Sequence, residues 1–102
     1  SNKMLTLDLY TPEEVSTQIA NSAKQLRLSA NMSRKSLAQH SGVSLGSIQR
    51  FEQTGKISLE HLLKIAQVLS ALKEFQQLFP LPDPKTIQQL LEREKLPKRG
   101  RL

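Results

Sequence analysis

The chain predicts an all-α fold: a compact five-helix domain over residues 11–79, a short arm before it (1–10) and a proline-linked tail after it (80–102). Three observations carry this. Apolar residues recur at three- and four-residue spacing through most of the chain, the period of an α-helix. Cap residues punctuate that pattern, with Thr11, Ser33, Ser44 and Ser58 ahead of apolar runs and Gly42 and Gly55 behind two of them. Large rings are scarce: aromatic residues make up 4% of the 102 and there is no Trp. A core must then be built from Leu, Ile, Val and Ala, which suits short packed helices.

Met4 to Tyr10 alternates, with Leu5, Leu7 and Leu9 on one side, and reads as a short strand or an extended arm. Helix 1 follows. Thr11 caps it, Pro12 fits its first turn, and Glu14 completes a Thr-x-x-Glu capping box. Val15, Ile19, Ala23 and Leu26 then recur at helical spacing, which takes the helix to about Leu28. Ser33 caps a short second helix from Arg34 to Ser41, with Leu37 and Ala38 inward, and Gly42 stops it. Ser44 caps a third from Leu45 to about Gln53, with Ile48 and Phe51 inward. Ser58 caps a fourth, with Leu59, Leu62, Leu63, Ala66 and Leu69 on one face. Leu72, Phe75, Leu78 and Phe79 predict a fifth, and Pro80, Pro82 and Pro84 stop the pattern. Beyond them Ile87, Leu90 and Leu91 predict one or two amphipathic turns before a basic end from Lys95 to Leu102.

The formal net charge is +6, and it is unevenly placed. Residues 23–56 hold Lys24, Arg27, Arg34, Lys35, Arg50 and Lys56 against Glu52 alone. Residues 93–102 hold Arg93, Lys95, Lys98, Arg99 and Arg101 against Glu94. Clustered Lys and Arg are the footprint of a phosphate polyanion, or else a solubilising face. There is no Cys, which excludes disulfides, zinc–thiolate sites and thiol nucleophiles from this sequence. His40 and His61 stand at no metal-binding spacing, and no Gly-rich phosphate loop follows a strand. The expectation is a chain that is not an enzyme and holds no metal or cofactor. No apolar run approaches the ~20 residues of a membrane span. A cytoplasmic location is expected.

Two short helices joined at Gly42 form the central feature. Ala38 is small where the helices cross, Gly42 takes the positive φ of a sharp turn, and Val43 and Ile48 plug the space between them. With these inward, Leu45, Gly46, Gln49 and Arg50 fall on the outward side of helix 3, the helix that such a motif lays in the major groove of DNA. Arg50 is the best base reader, because its fork spans guanine O6 and N7. Gln49 either reads adenine or is a solvated surface Gln. Leu45 touches a thymine methyl or is simply an exposed leucine. Gly46 permits close approach. Arg34, Lys35, Ser44, Ser47, Thr54 and Lys56 suit phosphate contacts at loop ends and helix N-termini, although Lys35 reads nearly as well as a solvated Lys.

This spacing closely resembles the Cro/cI/Xre family of helix-turn-helix repressors. Arg34, Leu37, Ala38, Gly42, Val43, Ser44, Ile48, Glu52 and Gly55-Lys56 carry the resemblance, which covers about residues 20–70. It implies a lambda-repressor-like domain that regulates transcription, of bacterial type and associated with the nucleoid. Arg27 and Glu52 sit where the family often has an Arg–Glu pair tying helix 1 to the end of helix 3. Three departures leave the target sequence open: Arg34 where the phage repressors usually have Gln, Leu45-Gly46 where some have base-reading Gln, and one extra residue between Glu52 and Gly55.

The stripe Leu72, Phe75, Leu78 and Phe79 either closes the monomer core or pairs two subunits about a two-fold axis as a homodimer on a palindromic operator. In layout and composition the tail looks like that of the small Xre-type antitoxins that accompany HipA-like kinase toxins. That resemblance implies an antitoxin that represses its own operon and binds the toxin through the C-terminal tail. The alternatives are a stand-alone Xre-type regulator whose tail is a DNA-binding or solubilising arm, and a protein-interaction module that merely keeps the fold.

Overall fold

A computed structural model of the chain describes residues 10–93. These residues are all-helical, with no strand among them. Six helices follow one another: α1 (Pro12–Ser29), α2 (Arg34–Ser41), α3 (Leu45–Thr54), α4 (Leu59–Val68), α5 (Leu72–Gln76) and α6 (Pro84–Arg93). The alternating arm through Leu9 and the basic end from Lys95 to Leu102, expectations of the sequence, lie outside the described residues.

Local chemistry sets the helix ends. The Thr11 hydroxyl accepts from the Glu14 N–H at 3.1 Å, and the Glu14 carboxylate accepts from the Thr11 N–H at 2.9 Å, so the capping box is complete. Ser33, Ser44 and Ser58 each accept from the N–H three residues on. Gly42 (φ 78°) and Gly55 (φ 79°) end α2 and α3 in the left-handed region, which glycine enters without a Cβ penalty.

Packing pairs α1 with α3, α2 with both α3 and α4, and α4 with α5. The core between them is Ala20, Leu37, Val43, Ile48, Phe51, Ile65 and Leu69. Helix α1 meets it through Ala20, half-buried Ala23 and buried Arg27. The stripe of Val15, Ile19 and Leu26, which made α1 legible as a helix, stays substantially exposed beside that contact. On its buried side α1 closely approaches the end of α3 at Gly55, where an added Cβ would stand 3.0–3.1 Å from Ser16.

Two expectations are corrected. Leu72, Phe75, Leu78 and Phe79 do not share one helix. Helix α5 ends at Gln76, short of Pro80, which has no N–H to continue a helix and disfavours the right-handed helical region at Phe79. Phe79 stands instead at φ 54°. The helix count is six rather than five, because Pro84 opens a helix instead of closing one. Asp83 is its cap: its carboxylate accepts from the Thr86 N–H at 2.8 Å, with Pro84 in the first helical position. The Thr86 backbone and side-chain hydrogen bonds hold the Asp83 carboxyl below its ordinary value. The amphipathic turns at Ile87, Leu90 and Leu91 are thus part of a ten-residue helix.

Candidate nucleic-acid interface

The turn between α2 and α3 fixes the direction of α3. The Ser41 hydroxyl accepts from the Val43 N–H at 3.1 Å, Gly42 reverses the chain, and the Val43 side chain is buried between the helices. Ile48 and Phe51 bury the inner side of α3. The outer side then presents Leu45, Gly46, Gln49 and Arg50 together, all exposed. An added Cβ at Gly46 would meet nothing within 4 Å, so the surface there is open.

The lower end of α3 is held by a buried ion triad. Glu52 (side chain 3% exposed) accepts from Arg27 Nε at 2.8 Å, from Arg27 Nη2 at 3.1 Å and from Arg34 Nε at 2.8 Å. Arg27 also donates from Nη1 to the Met32 carbonyl at 2.8 Å. One guanidinium therefore ties α1, the α1–α2 loop and α3 together. Burial pushes the Glu52 carboxyl up, but the hydrogen bonds and charges of Arg27 and Arg34 outweigh it and hold the carboxyl below its ordinary value. The expected Arg27–Glu52 pair is present. Arg34 is its third member, which the sequence reading did not foresee, and its side chain remains 37% exposed.

The expected phosphate contacts divide by geometry. Ser44 caps α3 and donates to Ser47 Oγ at 2.9 Å, so both hydroxyls stand at the α3 N-terminus, where backbone N–H groups favour an anion. Lys35 is exposed in the first turn of α2. The Thr54 hydroxyl donates to the Arg50 carbonyl at 2.7 Å and accepts from the Lys56 N–H at 3.1 Å. Thr54 thus fixes the backbone beside Lys56. Lys56, Arg50, Ser47, Ser58 and His61 line a depression of about 170 Å³ between α3 and the start of α4. His61, which stands at no metal-binding spacing in the sequence, lines this depression together with Arg50 and Lys56.

Of the four residues expected at a dimer seam, Leu72 and Phe75 stand on α5, while Leu78 and Phe79 lie beyond its end, Phe79 almost fully exposed. No group of three or more His, Asp or Glu gathers among the described residues to hold a metal ion. No helix among them is long and apolar enough to cross a membrane.

No curated protein matches this chain. Residues 24–71, from the last turns of α1 to the residue before α5, match the helix-turn-helix family, which is a DNA-binding regulatory family rather than an enzyme family. The match and the exposed face of α3 together support a DNA-binding transcriptional regulator built on a helix-turn-helix domain.

Proposed function

We propose that the protein is a sequence-specific repressor that binds double-stranded DNA as a homodimer on a palindromic operator. The observation that carries the reading is the exposed face of α3, where Arg50 stands beside Leu45, Gly46 and Gln49 on a helix whose other side is buried. The Arg27–Glu52–Arg34 triad keeps that helix from rocking, so base-reading geometry is preformed. In this mechanism α3 enters the major groove. Arg50 takes a guanine edge, Gln49 an adenine, Leu45 a thymine methyl, and Gly46 lets the helix backbone come close. Ser44, Ser47, Lys35 and Arg34 meet phosphates on one side of the groove, and Lys56 with its Thr54-fixed backbone on the other. Two copies related by a two-fold axis, with Leu72, Phe75, Leu78 and Phe79 near the seam, place two such helices about one helical turn, roughly 34 Å, apart.

The tail extends the reading. Its proline-rich link, amphipathic helix and basic end fit an autoregulatory antitoxin of a type II toxin–antitoxin pair, acting in the bacterial cytoplasm at the nucleoid. It binds a HipA-like kinase toxin through residues 80–102. The test is footprinting upstream of the protein's own gene, with affinity measured against a scrambled duplex, and co-purification of the neighbouring gene product. Protection of a palindrome together with a kinase-like co-purifying protein bears out the whole reading. Protection without such a partner leaves the stand-alone Xre-type regulator, and equal affinity for scrambled DNA overturns base reading.

A further inference from the structure

Two apolar surfaces of this chain are uncovered, and they match each other. The first is a groove of about 330 Å³ along α1, α4 and α5, walled by Ile19, Ala23, Leu26, Leu62, Leu69 and Phe75. The second is the face of α6 that carries Ile87, Leu90 and Leu91 at i, i+3 and i+4, all three exposed. None of the groove's lining residues comes from beyond Phe75, and α6 packs substantially on no other helix. We propose that the groove receives α6 of a second copy of this chain, and that the second copy's groove receives α6 of the first. The proposal rests on the homodimer reading above and names what fills its seam.

Size and connection support this occupant. The groove follows α1 from Gln18 to Leu26, about 12 Å at 1.5 Å per residue, and the ten residues of α6 span about 15 Å. An amphipathic helix laid into an apolar groove at i, i+3 and i+4 is a common recognition mode. The connection decides between folding back and reaching across. Residues 77–83 join α5 to α6, with prolines at 80 and 82 and Pro84 opening the helix. Pro80 and Pro82 fix φ at two of the link's positions, which limits the ways α6 can turn back onto its own groove. At the link's start Phe79 takes a left-handed φ of 54°, a strained conformation for a bulky residue, and strained hinges favour exchange between copies. Leu78, Phe79 and Leu81 along the link are 56%, 95% and 90% exposed, an apolar row that a second copy would cover.

Complementation tests this. Ile19→Glu spoils the groove at a substantially exposed position, and Leu90→Glu spoils the helix. Wild-type-like circular dichroism and a cooperative thermal transition establish that both variants fold, with the midpoint lowered where the dimer is lost. Each variant alone loses both symmetric contacts, and its dimer dissociation constant rises roughly a thousandfold if each contact is worth about thirtyfold. An equal mixture restores one contact, so a heterodimer sediments with a constant about thirtyfold above wild type. Because the chain has no native cysteine, Ser22→Cys and Leu90→Cys copies, mixed and oxidised, should crosslink across chains. If both Glu variants remain dimers, the exchange is wrong while the dimer reading stands. If they are monomers but do not complement, groove and helix do not pair between copies and the exchange is wrong. If the wild type is itself a monomer, the dimer reading fails together with the exchange.

Discussion

The helix-turn-helix and the C-terminal segment use their apolar residues in opposite ways. Between Arg27 and Lys56, Leu37, Val43, Ile48 and Phe51 are buried and the charges that enter the core are paired. Between Leu78 and Arg93, Leu78, Phe79, Leu81, Ile87, Leu90 and Leu91 all face water. The first region is completed by its own chain, and its function lies in what it leaves polar on the outside of α3. The second leaves its apolar residues on the surface, where the exchange proposed above would cover them. Sequence changes should therefore act on stability in the first region and on assembly in the second.

The largest expected break of this contrast is at Glu52. Glu52→Ala leaves Arg27, 5% exposed, with a buried unpaired charge, and should cost about 3–5 kcal/mol of unfolding free energy by chemical denaturation. Glu92→Ala on exposed α6 should stay within about 0.5 kcal/mol. Equal losses would erase the distinction between the two regions. The pH dependence follows with its sign. The folded Glu52 carboxyl lies below 4.5, its ordinary value, so its contribution is fully present above that pH. The contribution is lost as pH falls through the lower folded value. Glu52→Gln should flatten that acid loss, and an unchanged acid profile in Glu52→Gln would remove the triad from the account.

The two turn glycines come next. Both have positive φ, but only Gly55 stands against another helix. Gly42→Ala should cost about 1–2 kcal/mol, the left-handed penalty alone. Gly55→Ala adds a contact of 3.0 Å with the Ser16 backbone that α1 must move to relieve, so its cost should be the greater. Matching thermal midpoints for the two variants would show that α1 yields freely there.

Function on DNA should respond without stability. Arg50→Ala should lose about 1–3 kcal/mol on the cognate site and relax the preference at one base pair, with unfolding unchanged. Lys56→Ala should weaken every duplex about equally and reduce the salt slope by about one phosphate, near 0.9 in log–log units. A Lys56→Ala effect confined to the cognate sequence would make Lys56 a base reader, and an Arg50→Ala effect equal on all sequences would make Arg50 a phosphate anchor.

The first four helices were legible because side-chain chemistry close in sequence writes their ends. Cap residues act within four residues, and the structure places Thr11, Ser33, Ser44 and Ser58 at the four starts and Gly42 and Gly55 at the ends of α2 and α3. The outward set on α3 was legible for the same reason, since it is what remains once Ile48 and Phe51 turn inward. Arg34 and the Met32 carbonyl were not, because joining the Glu52 triad depends on how the α1–α2 loop lies against α3. The end of α5 was misread because apolar spacing outweighed the backbone restriction that Pro80 places on Phe79. The start of α6 was misread because a proline after an aspartate opens a helix as readily as a proline ends one. In α1 the periodic stripe marked the helix but not its buried side, which small Ala20 and charged Arg27 occupy.

The smallest effect sharpens the contrast most, because it separates fold from function within α3. Gly46 lies in the first turn of that helix with nothing within 4 Å of an added Cβ and no left-handed φ. The fold therefore gives no reason for glycine there. Glycine in a helix is the less favourable choice by roughly 0.5–1 kcal/mol relative to alanine, so Gly46→Ala should raise the unfolding free energy by up to that amount. If α3 enters the major groove with its first turn against the base edges, a methyl at that position meets DNA. The same variant should then bind the operator more weakly, while a substitution at exposed Gln53, near the other end of α3, leaves operator affinity unchanged. The two measurements are a denaturation curve and a titration of labelled operator. Greater stability together with weaker binding marks Gly46 as a concession of stability to close approach. Greater stability with unchanged binding would turn that face of the first turn away from the groove and leave Gln49 and Arg50 as the readers.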